Sequence, residues 1–321
     1  ATQLQSSLKT TLKRGFALPV LVIALSIALG IPKWTQQISR ETTSVSLLQG
    51  NIAQDIKWSP EWIEETMTIY LNMILQEKSE LILLPETAIP LLEKNVPDWY
   101  WEALKKHAET NNLHILLGIP EQSEDGKFYN SVIQVGGEDI QRYRKHHLVP
   151  FGDYFPMRAI TSGLLNYLKI PMSNFSPGPS NQAPFILGNQ SLGVDICYED
   201  VFGEEIIRQL PGATVLANFT NDAWWGESLG PKQHLQIAQA RSIETGRELL
   251  RVTNTGVTAV IDHRGYIVNQ VPQFSKTVLR AEIYGRKGST PYSLWGNLPF
   301  VILCLVILAF CVKSTSARLK T

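Results

Sequence analysis

Apolar residues occur along the chain in short unbroken runs that alternate with amphipathic stretches. The runs at 81–85 and 114–120 are almost wholly apolar, which is typical of strands buried on both faces of a sheet. The stretch at 213–221 is predicted as a strand as well. Strands are also predicted at 44–52, 130–135, 139–144, 191–199, 249–256, 257–265 and 277–284. Helices are predicted at 59–78, 98–111, 202–209 and 231–246. This order indicates an α/β fold in which helices cover the sheets.

Two longer apolar stretches lie near the ends of the chain. Residues 16–31 carry no charge, and residues 294–312 end in FVILCLVILAFCV. A bilayer span needs about 20 mostly apolar residues, with about 17 as the lower limit. We therefore predict transmembrane helices at 16–32 and 293–312. The alternatives for the first stretch are a signal-peptide core and a buried helix.

Positive charges at both ends indicate the orientation of these spans. Basic residues precede the first span in 1–15 and follow the second in 313–321, so both segments are expected in the cytoplasm. A linker, 33–43, and a central domain, 44–288, would then lie on the opposite face of the membrane, which in a bacterium is the periplasm or the cell exterior. The chain begins with Ala rather than Met, and we expect it to be the C-terminal part of a longer membrane protein.

Composition limits the choice of partners. Lys plus Arg and Asp plus Glu both total 29, and nucleic acid is not an expected partner because it usually requires a basic surplus. Charged residues make up 18% of the chain, below the roughly 25% of a soluble domain, which favours membrane-embedded sequence. The six His residues show no metal-ligand spacing, and we expect neither a metal nor a cofactor.

Cys197 is the first candidate for a reactive residue. It is the only cysteine outside the second apolar stretch, and it follows the predicted strand LGVDI. Side chains at the carboxyl ends of strands face the sheet edge where ligands usually bind. An unpaired thiol in an oxidising compartment is a liability unless it is used. From position alone, a nucleophile and a buried inert thiol both remain open.

Glu86 and Lys145 occupy comparable positions. Glu86 follows the strand at 81–85, and Lys145 follows the strand at 139–144. A thiol nucleophile needs a base and a group that stabilises oxyanion charge, and Glu and Lys can supply these. Taken alone, Glu86 could cap a helix, and Lys145 could belong to a solvated basic run. Together, Glu, Lys and Cys at three strand ends are a much stronger indication of a catalytic site.

The order Glu86, Lys145, Cys197 resembles the nitrilase, or carbon–nitrogen hydrolase, superfamily. Longer segments within about 44–285 resemble the bacterial apolipoprotein N-acyltransferase family: LLQGNIAQDIKW, LPETAIP, YRKHHLVPFGDYFP, ICYED, NFTNDAWWGESLGPKQHLQIAQARSIE and RVTNTGVTAVID. Members of that family carry several further N-terminal transmembrane helices, which agrees with the expectation of a longer protein.

The resemblance implies an αββα sandwich flanked by transmembrane helices, and a two-step acyl transfer without a cofactor. A phospholipid of the membrane would donate a fatty acyl chain to Cys197, the nucleophile. The N-terminal cysteine amine of a diacylglyceryl apolipoprotein would then accept the chain. Glu86 would be the general base and acid, and Lys145 would stabilise the oxyanion and the thiolate.

Three residues near these positions are candidates for shaping the pocket. Tyr198 and Glu199 directly follow the nucleophile. Asp153 stands where the family commonly has Glu, and its side chain is one methylene shorter. Any direct contact that the longer acid makes is therefore in doubt here.

Five further candidates are aromatic or lie at a strand end. Trp58 and Trp224, with the neighbouring Trp225, are expected near acyl chains at the membrane surface. Ordinary core packing is the alternative for these rings. Asn221 and Asp222 are expected to support the site, and a plain turn after the strand is the alternative.

Two other functions are weighed against acyl transfer. A membrane-tethered amidase of the nitrilase type would use the same three residues but pass the acyl group to water. A non-catalytic lipoprotein-binding or scaffold protein would have no need of an intact Glu–Lys–Cys set. The terminal apolar stretches and the apolar loops near 150–175 favour a lipid substrate.

Overall fold

Two β-sheets lie face to face in the computed structural model, which describes residues 19–137, 140–156, 174–210 and 212–318. The strands are β1 (Thr35–Gln37), β2 (Thr43–Gln49), β3 (Leu81–Leu83), β4 (His114–Gln122), β5 (Phe128–Val135), β6 (Arg142–Arg144), β7 (Phe185–Leu187), β8 (Gln190–Ile196), β9 (Val215–Thr220), β10 (Leu249–Thr253), β11 (Ala259–Ile261), β12 (Ile267–Gln270), β13 (Thr277–Ile283) and β14 (Arg286–Gly288). The helices are α1 (19–30), α2 (Pro60–Leu75), α3 (Asp98–Asn111), α4 (Gly203–Ile206), α5 (Gly230–Thr245), α6 (Pro291–Trp295) and α7 (Leu298–Arg318).

Each main sheet has a parallel centre and antiparallel flanks. The first sheet has the order β13-β2-β3-β4-β5-β6, in which β2, β3 and β4 are parallel. The second has the order β12-β11-β10-β9-β8-β7, in which β8, β9 and β10 are parallel. Two antiparallel steps separate β6 from β4, so β6 runs in the same direction as the parallel strands. The residues that follow β3 and β6, and those that follow β8 and β9, therefore collect at sheet edges where ligands bind.

Three apolar clusters hold these layers together. The largest lies between the sheets and joins side chains such as Leu47 and Leu83 to Val194 and Phe219. A second packs α2 and α3 against the outer face of the first sheet. A third packs α5 against the outer face of the second sheet. The four layers confirm the αββα sandwich.

Most elements lie where the sequence predicts them, and two differences occur close to Cys197. The strand predicted at 191–199 ends at Ile196, because Cys197 has a φ of 55°, which cannot continue a strand. The helix predicted at 202–209 is an α-helix only over Gly203–Ile206 and continues as a 3₁₀ turn. The apolar pattern of the sequence does not distinguish these tight turns from regular elements.

Other differences concern short strands and segments outside the described residues. The sequence pattern does not predict β7 or β12; all four positions of β12 are exposed, so no apolar alternation marks it. The strand predicted at 139–144 is shortened to β6. Within the loops near 150–175, the segment 157–173 lies outside the described residues, as do 1–18 and 319–321.

Helices occur at both ends of the described chain. Large apolar side chains of α1 and α7 are exposed, among them Val20, Ile27 and Phe310. Within the parts of the chain that the structure describes, no helix is both long and apolar enough to cross a membrane. The spans predicted at 16–32 and 293–312 are therefore not confirmed.

The inter-sheet cluster should carry much of the folding free energy. Phe219 is fully buried at its centre, so Phe219→Ala should lower the free energy of unfolding by about 3–5 kcal/mol. Val268 on β12 is exposed, and Val268→Ala should change the free energy of unfolding by no more than about 0.5 kcal/mol. Urea unfolding followed by circular dichroism measures both, and equal effects would contradict a core located between the sheets.

Candidate active site

Residues that follow four strands meet around one cavity. Glu86 comes after β3, Lys145 after β6, Cys197 after β8 and Asn221 after β9, and all four line a cavity of about 550 Å³. The first two belong to one sheet and the last two to the other, so the cavity lies where the sheet edges face each other. The structure thus brings together the three residues that the sequence predicts to carry chemistry.

The carboxylate of Glu86 is held by three donors. Its Oε1 accepts from Asn130 Nδ2 at 2.7 Å and from Lys145 Nζ at 3.3 Å. Its Oε2 accepts from the backbone N–H of Asn221 at 3.1 Å. These contacts fix the carboxylate in one orientation inside the cavity, and Glu86 does not cap a helix.

Lys145 lies between two carboxylates. Only 1% of its side chain is exposed, and its Nζ is 3.3 Å from Glu86 Oε1 and 2.8 Å from Asp153 Oδ2. Burial alone would lower the pKa of Lys145, but the two carboxylates outweigh it and hold the pKa well above its ordinary value. The alternative of a solvated basic run is wrong for Lys145. Despite its shorter side chain, Asp153 makes a direct contact.

Cys197 sits in a strained turn and carries a protonated thiol. Its φ of 55° is rare for a residue with a Cβ, and such strain often marks functional sites. Burial raises the pKa of the thiol well above its ordinary value, and the carboxylate of Glu86 raises it further. Lys145 lowers the pKa of the thiol, as predicted from the sequence, but does not outweigh the effects of burial and of Glu86. The resting group is therefore the thiol, which needs a base to become a nucleophile.

Glu199 is not among the residues that line the cavity. It is buried, and its carboxylate accepts from the Tyr143 hydroxyl and from the backbone N–H groups of Ile196, His146 and His147. These bonds tie the turn after β8 to the loop after β6. Burial raises the pKa of Glu199 to about 7, against the opposing effect of the backbone donors. Its neighbour in sequence, Tyr198, does line the cavity.

Asn221 and Asp222 form the turn after β9 and also support the site. The backbone N–H of Asn221 binds Glu86, as described above. Asp222 Oδ1 is 2.9 Å from His234 Nδ1, and Asp222 Oδ2 is 2.8 Å from Arg251 Nη2. Burial would raise the pKa of Asp222, but Arg251 and His234 outweigh it and lower the pKa to about 2.

The rest of the cavity wall is largely apolar and aromatic. It includes Trp58, Phe151, Phe175, Tyr198, Trp224 and Trp225. Trp224 and Trp225 are 64% and 57% exposed, so core packing is wrong as an explanation for both, while Trp58 is half-buried. Large exposed rings at a cavity mouth are typical of binding surfaces.

Sequence reasoning does not identify two residues that hold Glu86. Asn130 is a single amide in β5 and carries no local signal. Lys57 is buried next to Trp58, and its Nζ donates to the Glu86 carbonyl at 3.2 Å and to Thr87 Oγ1 at 2.6 Å. Burial lowers the pKa of Lys57 to about 8, although Glu86 raises it. A charged residue inside the motif QDIKW is the one signal that could have indicated its role.

Comparison with known proteins agrees with this arrangement. The family model for carbon–nitrogen hydrolases matches residues 44–292, which include every site residue described above. The chain belongs to the carbon–nitrogen hydrolase family. Two solved structures share the fold of this carbon–nitrogen hydrolase. A superfamily member from Xanthomonas campestris, with an arsenic adduct in its active site, has a TM-score of 0.58 at 18% identity and covers 76% of this chain and 91% of its own. Saccharomyces cerevisiae Nit3 has a TM-score of 0.56 at 19% identity and covers 79% and 92%.

Closer relatives are proteins named apolipoprotein N-acyltransferase. The protein from Nitrosomonas europaea is 46% identical over 90% of this chain and 58% of its own length. The protein from Chromobacterium violaceum is 39% identical over 90% of this chain and 57% of its own length. This carbon–nitrogen hydrolase chain therefore spans under three fifths of the length of these relatives.

The arrangement has the parts of a thiol acyl-transfer site. A neutral thiol, a fixed carboxylate and a buried ammonium line the same cavity in this carbon–nitrogen hydrolase. The carboxylate can take the thiol proton, and the ammonium can stabilise an oxyanion. Among the described residues, no group of three or more His, Cys, Asp or Glu side chains is placed to hold a metal ion.

Glu86→Gln should increase the reactivity of the resting thiol while it removes the base. The lost negative charge lowers the pKa of Cys197, so alkylation by iodoacetamide at pH 8 should accelerate, by about three- to fourfold for each unit by which the pKa falls, because the larger thiolate fraction outweighs the lower nucleophilicity of the thiolate. Acylation by an ester substrate should be lost, because an amide cannot accept the proton.

Glu248→Gln is the matched control for this experiment. Glu248 is comparably buried but precedes β10, at the opposite edge of the sheet. Its substitution should leave both rates unchanged. Slower alkylation of the Glu86→Gln variant would mean that Glu86 promotes the resting thiolate, contrary to the electrostatics described here.

Proposed function

We propose that this chain moves a fatty acyl group from a phospholipid to the N-terminal cysteine amine of a diacylglyceryl apolipoprotein. Cys197 would carry the acyl group as a thioester between the two steps. The observation that carries this proposal is an apolar, aromatic cavity that opens onto Cys197, Glu86 and Lys145. The names of the relatives from Nitrosomonas europaea and Chromobacterium violaceum support the same reaction.

In the first step, the sulfur of Cys197 attacks the carbonyl carbon of a phospholipid ester. Glu86 takes the thiol proton as the S–C bond forms. The carbonyl oxygen becomes an oxyanion, which the ammonium of Lys145 stabilises, with the backbone N–H of Tyr198 as a second donor. Glu86 then passes its proton to the departing glyceryl oxygen, the C–O bond breaks, and a lysophospholipid leaves.

In the second step, the cysteine amine of the apolipoprotein attacks the thioester. Glu86 is a carboxylate again at this stage, because its proton left with the alcohol. It removes a proton from the amine nitrogen as the N–C bond forms, and returns it to the sulfur as the C–S bond breaks. The amide product and the neutral thiol of Cys197 result, which predicts ping-pong kinetics.

Two features of the cavity support a lipid donor over a small polar amide. Its walls are mainly apolar, as burial of an acyl chain requires. The exposed rings of Trp224 and Trp225 stand at its mouth, close to the exposed Leu229. Aromatic side chains of this kind favour the interface between a membrane and water.

Attachment to the inner membrane completes the proposal. The exposed apolar side chains of α1 and α7 support anchoring by the segments 16–32 and 293–312. The central domain 44–288 would then meet the outer leaflet from the periplasmic side, with 1–15 and 313–321 in the cytoplasm. In that orientation the cavity mouth would accept a phospholipid directly from the bilayer.

Acyl transfer to an amine is the result that tests this function. The full chain is incubated with phosphatidylethanolamine and a synthetic diacylglyceryl-cysteine peptide, and the products are identified by mass spectrometry. We expect a triacylated peptide from the wild type, none from Cys197→Ala, and none from a peptide whose α-amine is acetylated. Release of free fatty acid without triacylated peptide would contradict the transferase and favour the amidase.

A further inference from the structure

His234 lines the cavity and contacts the backbone of the candidate nucleophile. It lies on α5 and is nearly buried, and its Nε2 is 3.2 Å from the carbonyl oxygen of Cys197. The same nitrogen is 3.0 Å from Asp200 Oδ1, and Nδ1 is 2.9 Å from Asp222 Oδ1. Asn218 Nδ2 is a second donor to the Cys197 carbonyl, at 3.2 Å. This carbonyl is therefore held by two side chains.

The contacts of His234 require both ring nitrogens to be donors. Every oxygen that faces them is an acceptor, either a carboxylate or a carbonyl, and only the imidazolium carries two N–H groups. Burial and the charge of Arg251 lower the pKa of His234, but Asp200 and Asp222 outweigh them and raise it to about 9. Asp200 and Asp222 are also 3.5 Å and 2.8 Å from Arg251. The two negative charges of these carboxylates are therefore matched by the two positive charges of the guanidinium and the imidazolium.

The hydrogen bonds from His234 and Asn218 to the Cys197 carbonyl also fix the orientation of the backbone N–H of Tyr198. In a trans peptide the C=O and the N–H of one unit point in opposite directions. Since the Cys197 carbonyl points to His234 on one side, the Tyr198 N–H points to the other. That N–H is the second oxyanion donor in the proposed mechanism. The strained φ of Cys197 makes this orientation costly to maintain without a partner.

We propose that His234 is a positioning residue for acyl transfer, whose imidazolium clamps the Cys197 carbonyl and thereby orients both the sulfur and the Tyr198 N–H. The proposal rests on the proposed thioester chemistry and extends it to a residue that acts through the backbone of Cys197 rather than on the reacting atoms. Asp222 and Asp200 hold the imidazole in place from two sides. Loss of the clamp should slow formation of the tetrahedral intermediate without weakening substrate binding.

The test compares His234→Phe, which keeps a ring but removes both donors, with His234→Gln, which keeps one N–H donor. Acylation is followed as a burst of p-nitrophenolate from p-nitrophenyl butyrate and as thioester formation from phosphatidylethanolamine in micelles. A hydrogen bond from a charged donor typically changes such a rate by about ten- to a hundredfold. We expect a loss of this size for His234→Phe and a smaller loss for His234→Gln, with the half-saturating substrate concentration unchanged.

His107→Phe is the matched control. His107 lies on α3, away from the cavity, and its Nε2 is also within hydrogen-bonding distance of a backbone carbonyl, that of Glu77, at 2.9 Å. Its substitution should leave the acylation rate at the wild-type value. An equal loss of rate in His107→Phe would mean that the His234 variants lose activity through general destabilisation, and it would overturn the proposal.

The possible outcomes distinguish a failure of the His234 proposal from a failure of the proposed function. Wild-type acylation rates in the His234 variants would overturn the positioning role of His234. A rise in the half-saturating substrate concentration at an unchanged maximal rate would overturn it as well. If His234→Phe does not fold, as judged by circular dichroism, the rate of His234→Gln decides in the same way. Wild-type acylation by the butyrate ester but not by phospholipid would overturn the lipid donor alone. No acylation by either substrate would overturn the nucleophile and the clamp together.

Discussion

The buried ammonium of Lys145 links the parts of the candidate site. An isolated charge is very costly to bury, and Lys145 is tolerable in the interior only because Glu86 and Asp153 lie within 3.3 Å and 2.8 Å of its Nζ. The same contacts fix the carboxylate that is proposed as the base. Glu86 in turn raises the pKa of Cys197, so the site keeps a neutral thiol until a substrate arrives. Removing any one of these charges changes the protonation or the position of the others.

Strained strand ends recur around the cavity, and each is held by a buried cation. Thr87, Cys197 and Asp222 all have positive φ values, of 46°, 55° and 54°. Lys57 binds at the first of these turns, His234 at the second and Arg251 at the third. Such conformations typically cost about 1–3 kcal/mol each and persist only when neighbouring groups enforce them. The rigid αββα core provides the frame, and these cations hold the chain in sharp turns where it enters the site.

The sequence predicts the parts of the structure that depend on apolar pattern and on motif residues. Runs such as 81–85 and 114–120 identify buried strands because apolar burial dominates there, and strand ends lead to Glu86 and Cys197. The exposed strand β12 and the turn at Cys197 have no such pattern and are missed or misassigned. His234 is missed as well, because its partners, Asp200 and Asp222, are distant in sequence and meet only after the second sheet forms.

Intact-protein mass spectrometry tests the central claim, that Cys197 accepts a fatty acyl chain with the help of Glu86 and Lys145. The full chain is incubated with phosphatidylethanolamine in micelles, then divided into samples with and without hydroxylamine, which cleaves thioesters. The account predicts a mass gain of one acyl chain that hydroxylamine removes and that Cys197→Ala never shows. A wild-type protein without any adduct, or an adduct that persists in Cys197→Ala, would contradict it.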